Sequence, residues 1–184
     1  MTGRAIWKSE DLEKCTNGTA TASFVGEGLC MDSRALEKGN IFIALQGQKI
    51  DGHKFIEDAY QRGAAAAIVS EDFTTDINIP LLKVKDTYEA LRNIAIASRA
   101  RCNGKIVAVT GSAGKTGTKE LLMIALGAGG KAYASTKSFN NFMGVPFSLA
   151  NMPEDTEFGI FEIGMNHAGE IEKLVELVRP HLAI

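Results

Sequence analysis

The sequence predicts an α/β protein whose second half is built on a mostly parallel sheet, and three observations predict it. From Lys105 onward the pattern strand, loop, helix repeats three times: an apolar run to Thr110 with a helix from Lys115, a strand near Ala132 with a helix from about Gly144-Val-Pro146, and a strand at Phe158 to Ile163 with a helix over Glu170 to Val178. Such alternation implies parallel strands covered by helices. The second observation is Val107-Ala-Val-Thr-Gly-Ser-Ala-Gly-Lys-Thr-Gly-Thr118, where an apolar run breaks into a glycine-punctuated turn and reopens as a helix. The third is composition: 184 residues, 45% of them apolar, are enough for one full domain or two small ones, each with its own core.

The first half justifies its elements one by one. A short helix is expected near Glu10 to Cys15, followed by a Thr/Gly/Ala-rich stretch of weak strand character up to Val25. Lys38-Gly-Asn40 turns the chain into Ile41 to Leu45, a strand by residue type, and Gln46-Gly47 and Asp51-Gly52 mark tight turns. His53 to Arg62 carries Phe55, Ile56, Ala59 and Tyr60 at helical spacing, and Gly63 stands where a C-terminal cap belongs. Ala65 to Val69 and Leu81 to Val84 read as strands. Asp86 with Glu89 starts a helix through about Arg101, with Leu91, Ile94, Ala95 and Ser98 on one face, and Asn103-Gly104 ends it at the expected domain boundary. In the last helix Ile171, Leu174, Val175 and Val178 form the expected apolar face; Pro180 stops it, and His181 to Ile184 begins a further apolar run.

The glycine-punctuated turn carries the chemistry. Small residues let backbone N–H groups converge on an anion, the helix dipole adds positive potential, Lys115 adds a mobile charge, and the Thr116 hydroxyl is within reach of a magnesium ion. The strict P-loop spacing has a glycine five positions before Gly114, where this chain has Val109, so the pattern is a shortened Thr-Gly-x-x-Gly-Lys-Thr. An ordinary glycine turn looks the same locally; the strand-to-helix context favours phosphate. With a net charge of -2 there is no bulk basic field, so phosphate binding is site-specific and nucleic acid is not an expected partner. Three cysteines without a Cys-x-x-Cys pair suit a reducing cytosol, and neither a signal sequence nor a membrane-spanning segment is indicated.

Three blocks of residues then act together. Met31-Asp-Ser-Arg34 goes with Gly39-Asn-Ile-Phe-Ile-Ala-Leu-Gln-Gly47 and Asp51-Gly-His53; Thr110-Gly-Ser-Ala-Gly-Lys-Thr116 is the second; Asn140-Asn-Phe-Met-Gly-Val-Pro146 with Glu162-Ile-Gly-Met-Asn-His-Ala-Gly-Glu-Ile171 is the third. Together they resemble the Mur ligases, and the third block is similar to the MurF type, which adds D-alanyl-D-alanine to UDP-N-acetylmuramoyl-tripeptide. A MurE-type ligase, or a non-catalytic module that holds a UDP-sugar or nucleotide, are the alternatives. The resemblance implies a small α/β UDP-binding domain over residues 1–102 and the first part of a P-loop, mostly parallel α/β domain over residues 103–184.

It also implies cofactors and roles: ATP held by Thr110, Gly111, Ser112, Ala113, Gly114, Lys115, Thr116 and Gly117; Mg2+ held by Thr116 and Glu162; Lys115 and Glu162 as the catalytic groups. Ser33, Arg34, Leu45, Gln46 and Gly47 would receive the uridine diphosphate end, and Asn140, Asn141, Asn166 and His167 would contact substrate. Blander readings stand beside these: an Asx turn with an exposed arginine at Ser33-Arg34, a turn into the next helix at Asn140-Asn141, structural histidines at His53 and His167, and a solvated Lys137. Family members commonly have Thr or Ser where this chain has Gly117, which implies a looser loop or weaker nucleotide binding. The remainder of the family's central domain and its C-terminal domain have no counterpart in these residues. The expectation is therefore a piece that is not a complete ligase, with a sheet edge open to self-association.

Overall fold

A computed structural model describes residues 6–47, 50–136, 139–165 and 169–184. The chain divides into two compact units, Ala5–Ile94 and Ala95–Ile184. Among the described residues no helix is long and apolar enough to cross a membrane.

In the first unit β1 (Ile6–Lys8) pairs antiparallel with β3 (Val25–Glu27), and Trp7 on β1 is buried. Between them lie α1 (Ser9–Thr16) and β2 (Thr19–Ala20). The main sheet has the order β2, β7, β6, β5, β4, with β4 (Leu29–Cys30), β5 (Ile41–Ile43), β6 (Ala66–Ser70) and β7 (Leu81–Val84) mutually parallel and β2 antiparallel at the edge. Strands β5 and β6 read as unbroken apolar runs, the pattern of strands covered on both faces. The sequence reading misses β1 and β4, which are too short to show an alternation.

The helix expected over His53 to Arg62 is a 3-10 turn, Gly52–Phe55, leading into α2 (Ile56–Gln61). Ile56 and Ala59 are buried, whereas Phe55 and Tyr60 flank that narrow stripe on either side and are exposed. Gly63 ends the helix in the left-handed region, φ +87°.

α3 (Thr87–Arg101) runs from the first unit into the second, so the division falls within it, upstream of Asn103-Gly104. Asp86 Oδ1 accepts the Tyr88 and Glu89 N–H groups at 2.8 and 2.9 Å. The reciprocal bond of a full capping box is replaced by a bond from Arg92 to Glu89 at 3.3 Å.

The second unit then alternates as expected: β8 (Lys105–Val109), α4 (Lys115–Gly127), β9 (Ala132–Ala134), α5 (Gly144–Ala150), β10 (Phe158–Glu162), α6 (Glu170–Val178) and β11 (Leu182–Ala183). The strands are all parallel, in the order β11, β8, β10, β9. Right-handed crossovers explain the layers: the step from β8 to β9 runs one way along the sheet and the next two steps run the other way. Accordingly Leu122, Met123 and Leu126 of α4 pack on Val107, Val109 and Ile160, while α5 and α6 cover Ile106, Ala108 and Phe161 on the opposite face. On α6 the buried residues are Leu174, Leu177 and Val178; Val175, expected inward, is 36% exposed because it lies beyond the edge of that stripe.

Candidate functional site

Parallel strands present their C-terminal ends to a common rim, and that rim gathers most of the second-unit candidates. Thr110 follows β8 directly, and its hydroxyl donates to the Ile163 carbonyl at 3.0 Å, which ties the end of β8 to the end of β10. Gly111 and Gly114 adopt φ +136° and +80°, conformations that free the chain to curl before α4 begins at Lys115. The N–H groups of Gly114, Lys115, Thr116 and Gly117 meet no protein acceptor among the described residues. No acidic side chain occupies the first turn of α4. A helix N-terminus left open in this way suits an anion. The Lys115 ammonium folds back on the same loop and donates to the Gly111 carbonyl at 2.6 Å.

Glu162 stands at the last position of β10, opposite Val109, and is 1% exposed. Its carboxylate accepts from the Thr116 hydroxyl at 2.9 Å through Oε2 and from the Asn140 side-chain amide at 2.8 Å through Oε1. Both donors are neutral, and among the described residues Glu162 enters no ion pair. A buried carboxylate beside a hydroxyl, with open N–H groups one loop away, is a hard-oxygen donor set that suits Mg2+ bound together with phosphate oxygens. Asn140 also fixes the segment after β10, since its carbonyl accepts the Gly164 N–H at 2.6 Å. Asn141 turns elsewhere: its Oδ1 accepts the Met143 and Gly144 N–H groups at 3.2 and 2.8 Å and so initiates α5. Asn166 and His167, and likewise Lys137, lie outside the described residues.

The substrate candidates of the first unit also gather at strand C-termini. Ser33 and Arg34 follow β4, while Leu45, Gln46 and Gly47 follow its parallel neighbour β5. Arg34 is 83% exposed, and its guanidinium forks onto Asp32 at 2.9 and 2.8 Å. Asp32 Oδ1 also accepts the Arg34 N–H at 3.1 Å, so the Asx turn is formed. The Ser33 hydroxyl hydrogen-bonds Asp58 and, together with Arg62, holds the Asp58 carboxyl below its ordinary range. Gly47 N–H donates to the Ile50 carbonyl and Gly52 N–H to the Leu45 carbonyl, which closes the loop after β5. His53 is structural: Nε2 accepts the Ser70 N–H at 3.0 Å, so the proton sits on Nδ1 and is donated to Asp51 at 2.6 Å. That bond lowers the Asp51 pKa.

A pocket of about 390 Å3 lies at the other end of the second sheet, lined in part by Arg99, Asn103, Arg179 and His181. Arg99 is committed there to the carbonyls of Val178, Cys102 and Arg179, so it acts as a clasp between chain segments. Sequence reasoning missed Ser135, which is 2% exposed and accepts the Glu162 N–H on its hydroxyl at 3.3 Å. A serine following a three-residue strand gives no signal of that role.

Two family models match: the Mur ligase family, catalytic domain over residues 27–110, and the Mur ligase middle domain over residues 109–184. The UDP-N-acetylmuramoyl-tripeptide--D-alanyl-D-alanine ligase of Rickettsia prowazekii is 40% identical over 97% of this chain and 40% of the relative's length. The ligase of the same description from Escherichia coli is 37% identical over 86% of this chain and 34% of its own. Among solved structures, the MurF of Acinetobacter baumannii superposes with a TM-score of 0.83 at 31% identity, covering 98% of this chain and 41% of its own. The MurF ligase of Thermotoga maritima in complex with ADP superposes with a TM-score of 0.66 at 29% identity, covering 83% and 35%. The chain spans about two fifths or less of the length of these relatives.

Proposed function

This chain belongs to the Mur ligase family, and we propose that it is the UDP-binding and ATP-binding part of a cytoplasmic, ATP-dependent amide ligase of peptidoglycan precursor synthesis. In this reading the full-length enzyme joins D-alanyl-D-alanine to UDP-N-acetylmuramoyl-tripeptide. ATP phosphorylates the peptide carboxylate with loss of ADP; the dipeptide amine then attacks the acyl phosphate, the C–N bond forms and inorganic phosphate leaves. The observation that carries the reading is the Thr116 hydroxyl donating to the buried Glu162 carboxylate at 2.9 Å, beside a helix N-terminus whose N–H groups are open.

Each role follows from charge. The acceptor carboxylate and the γ-phosphate repel each other, so cations and oriented dipoles must offset that repulsion. Residues Gly111 to Gly117 would cradle the phosphates through their N–H groups, with Lys115 exchanging the Gly111 carbonyl for phosphate oxygens. Thr116 and Glu162 would hold Mg2+, which when bound neutralises phosphate charge as a Lewis acid. Asn140 keeps Glu162 aimed at Thr116. In the UDP-binding domain, proposed to span residues 1–102, Ser33, Arg34 and the Leu45 to Gly47 turn would take the uridine diphosphate end, with Arg34 moving its fork from Asp32 to phosphate.

Full-length enzyme supplied with ATP, Mg2+, UDP-N-acetylmuramoyl-tripeptide and D-alanyl-D-alanine should release ADP and phosphate and form the pentapeptide product. Lys115→Ala should abolish acyl-phosphate formation without changing the thermal melt. No product from the wild type would refute the reading, and acyl-phosphate formation by the variant would refute the role of Lys115. By calorimetry the present chain should retain affinity for UDP-N-acetylmuramoyl peptides.

A further inference from the structure

Lys119 lies one turn beyond Lys115 on α4, and at 1% exposure it is among the largest fully buried side chains. Its Nζ donates to the Ser135 carbonyl at 2.8 Å and stands 3.1 Å from the carboxylate of Glu120, which is itself 62% exposed. Ser135 is the residue after β9, and there the ladder between β9 and β10 changes character. Ser135 N–H still donates to the Ile160 carbonyl at 3.0 Å, as a continuing parallel ladder requires. The next bond of such a ladder would run from the Glu162 N–H to the Ser135 carbonyl. Lys119 has taken that carbonyl, and the Glu162 N–H is received by the Ser135 hydroxyl at 3.3 Å.

We propose that Lys119 is a positioning residue for the metal-binding carboxylate: its ammonium pins the Ser135 peptide out of the ladder, so that the Ser135 hydroxyl sets the backbone of Glu162 and points the carboxylate at Thr116. The inference rests on the assignment of Thr116 and Glu162 as Mg2+ ligands. Burying an ammonium carries a desolvation cost. A methionine of similar length fills the same space without that cost, yet cannot donate to the Ser135 carbonyl. The line from Lys119 through Ser135 to Glu162 therefore has a geometric consequence that stability alone does not demand.

The test uses full-length enzyme with Lys119→Met, Ser135→Ala and the double variant. The readouts are the Mg2+ dependence of turnover, calorimetry of ADP binding with and without Mg2+, the KM for the UDP-peptide, and the thermal melt. Lys119→Met should keep its melt and its UDP-peptide KM but need at least about tenfold more Mg2+ for half-saturation, the usual scale for loss of a group that orients a metal ligand. Ser135→Ala should shift Mg2+ dependence the same way, and the double variant should be no worse than the worse single, because both break one line. Unchanged Mg2+ dependence in both single variants, or single effects that multiply in the double, would overturn the proposal. Should Lys119→Met fail to fold, Ser135→Ala with unchanged Mg2+ dependence overturns it alone. A wild type whose ADP binding ignores Mg2+ would instead remove the underlying ligand assignment.

Discussion

Two glycines at the start of α4 separate side-chain space from backbone conformation. A Cβ added at Gly114 or at Gly117 meets nothing within 4 Å, so neither substitution to alanine creates a clash. They differ in backbone: Gly114 has φ +80°, while Gly117 sits in the first turn of α4 and is absent from the positive-φ glycines. Gly117→Ala restricts the unfolded chain and improves helix propensity, which should stabilise by about 0.5–1 kcal/mol. For a chain of this size that raises the melting midpoint by roughly 1–4 °C. Gly114→Ala forces an alanine into the left-handed region and should cost about 1–2 kcal/mol, lowering the midpoint by roughly 2–8 °C. Thermal melts followed by circular dichroism on the 184-residue chain measure both. Calorimetry should find ADP affinity undiminished in Gly117→Ala, whose N–H is retained. A destabilised Gly117→Ala, or equal shifts for both variants, would refute the assignment of the Gly117 deficit to helix propensity alone.

Asp51→Asn should destabilise the first unit with a characteristic pH dependence. The Asp51 pKa is lowered below 3.8, chiefly by the His53 side-chain bond, so its stabilising contribution is present above that value and lost as pH falls through the depressed one. Urea midpoints should differ between wild type and variant at neutral pH and converge in acid; a gap independent of pH would contradict this. Asn141→Ala should cost about 1 kcal/mol by removing the acceptor for the Met143 and Gly144 N–H groups, and Asn141→Asp should restore most of it, as read by denaturant titration.

The legible parts of this fold are those where local chemistry and tertiary structure ask for the same residue. Gly63, Asp86 and the alternation after Lys105 are of that kind, as are Thr110 and Glu162, which the parallel-sheet rule puts on one rim before any coordinates are known. The illegible parts depend on partners far away in the chain. Strands β1 and β4 are too short to carry a period and exist because β3 and β5 lie alongside them. Phe55, Tyr60 and Val175 have helical spacing, but spacing does not report the width of the stripe that a short helix buries. Asn140 and Asn141 are adjacent in sequence and divide their labour, one on Glu162 and one on α5, which a motif written as a pair does not distinguish.

The side chains of the rim proposed to bind phosphate are already paired within the chain, and this bears on where affinity would come from. Lys115 has the Gly111 carbonyl and Thr116 has Glu162, so phosphate and Mg2+ would exchange hydrogen bonds at these side chains and add few new ones. An exchanged hydrogen bond returns little net free energy. The favourable terms left are the open N–H groups at the start of α4 and the charge of Glu162, which its two neutral donors orient without cancelling. Arg34 stands differently, because its Asp32 partner is a charge, and phosphate must compete with an existing fork of the same geometry. On the proposed assignment, uridine diphosphate recognition at Arg34 would depend on displacing a carboxylate, whereas nucleotide recognition at the loop would depend on filling donors that meet no acceptor among the described residues.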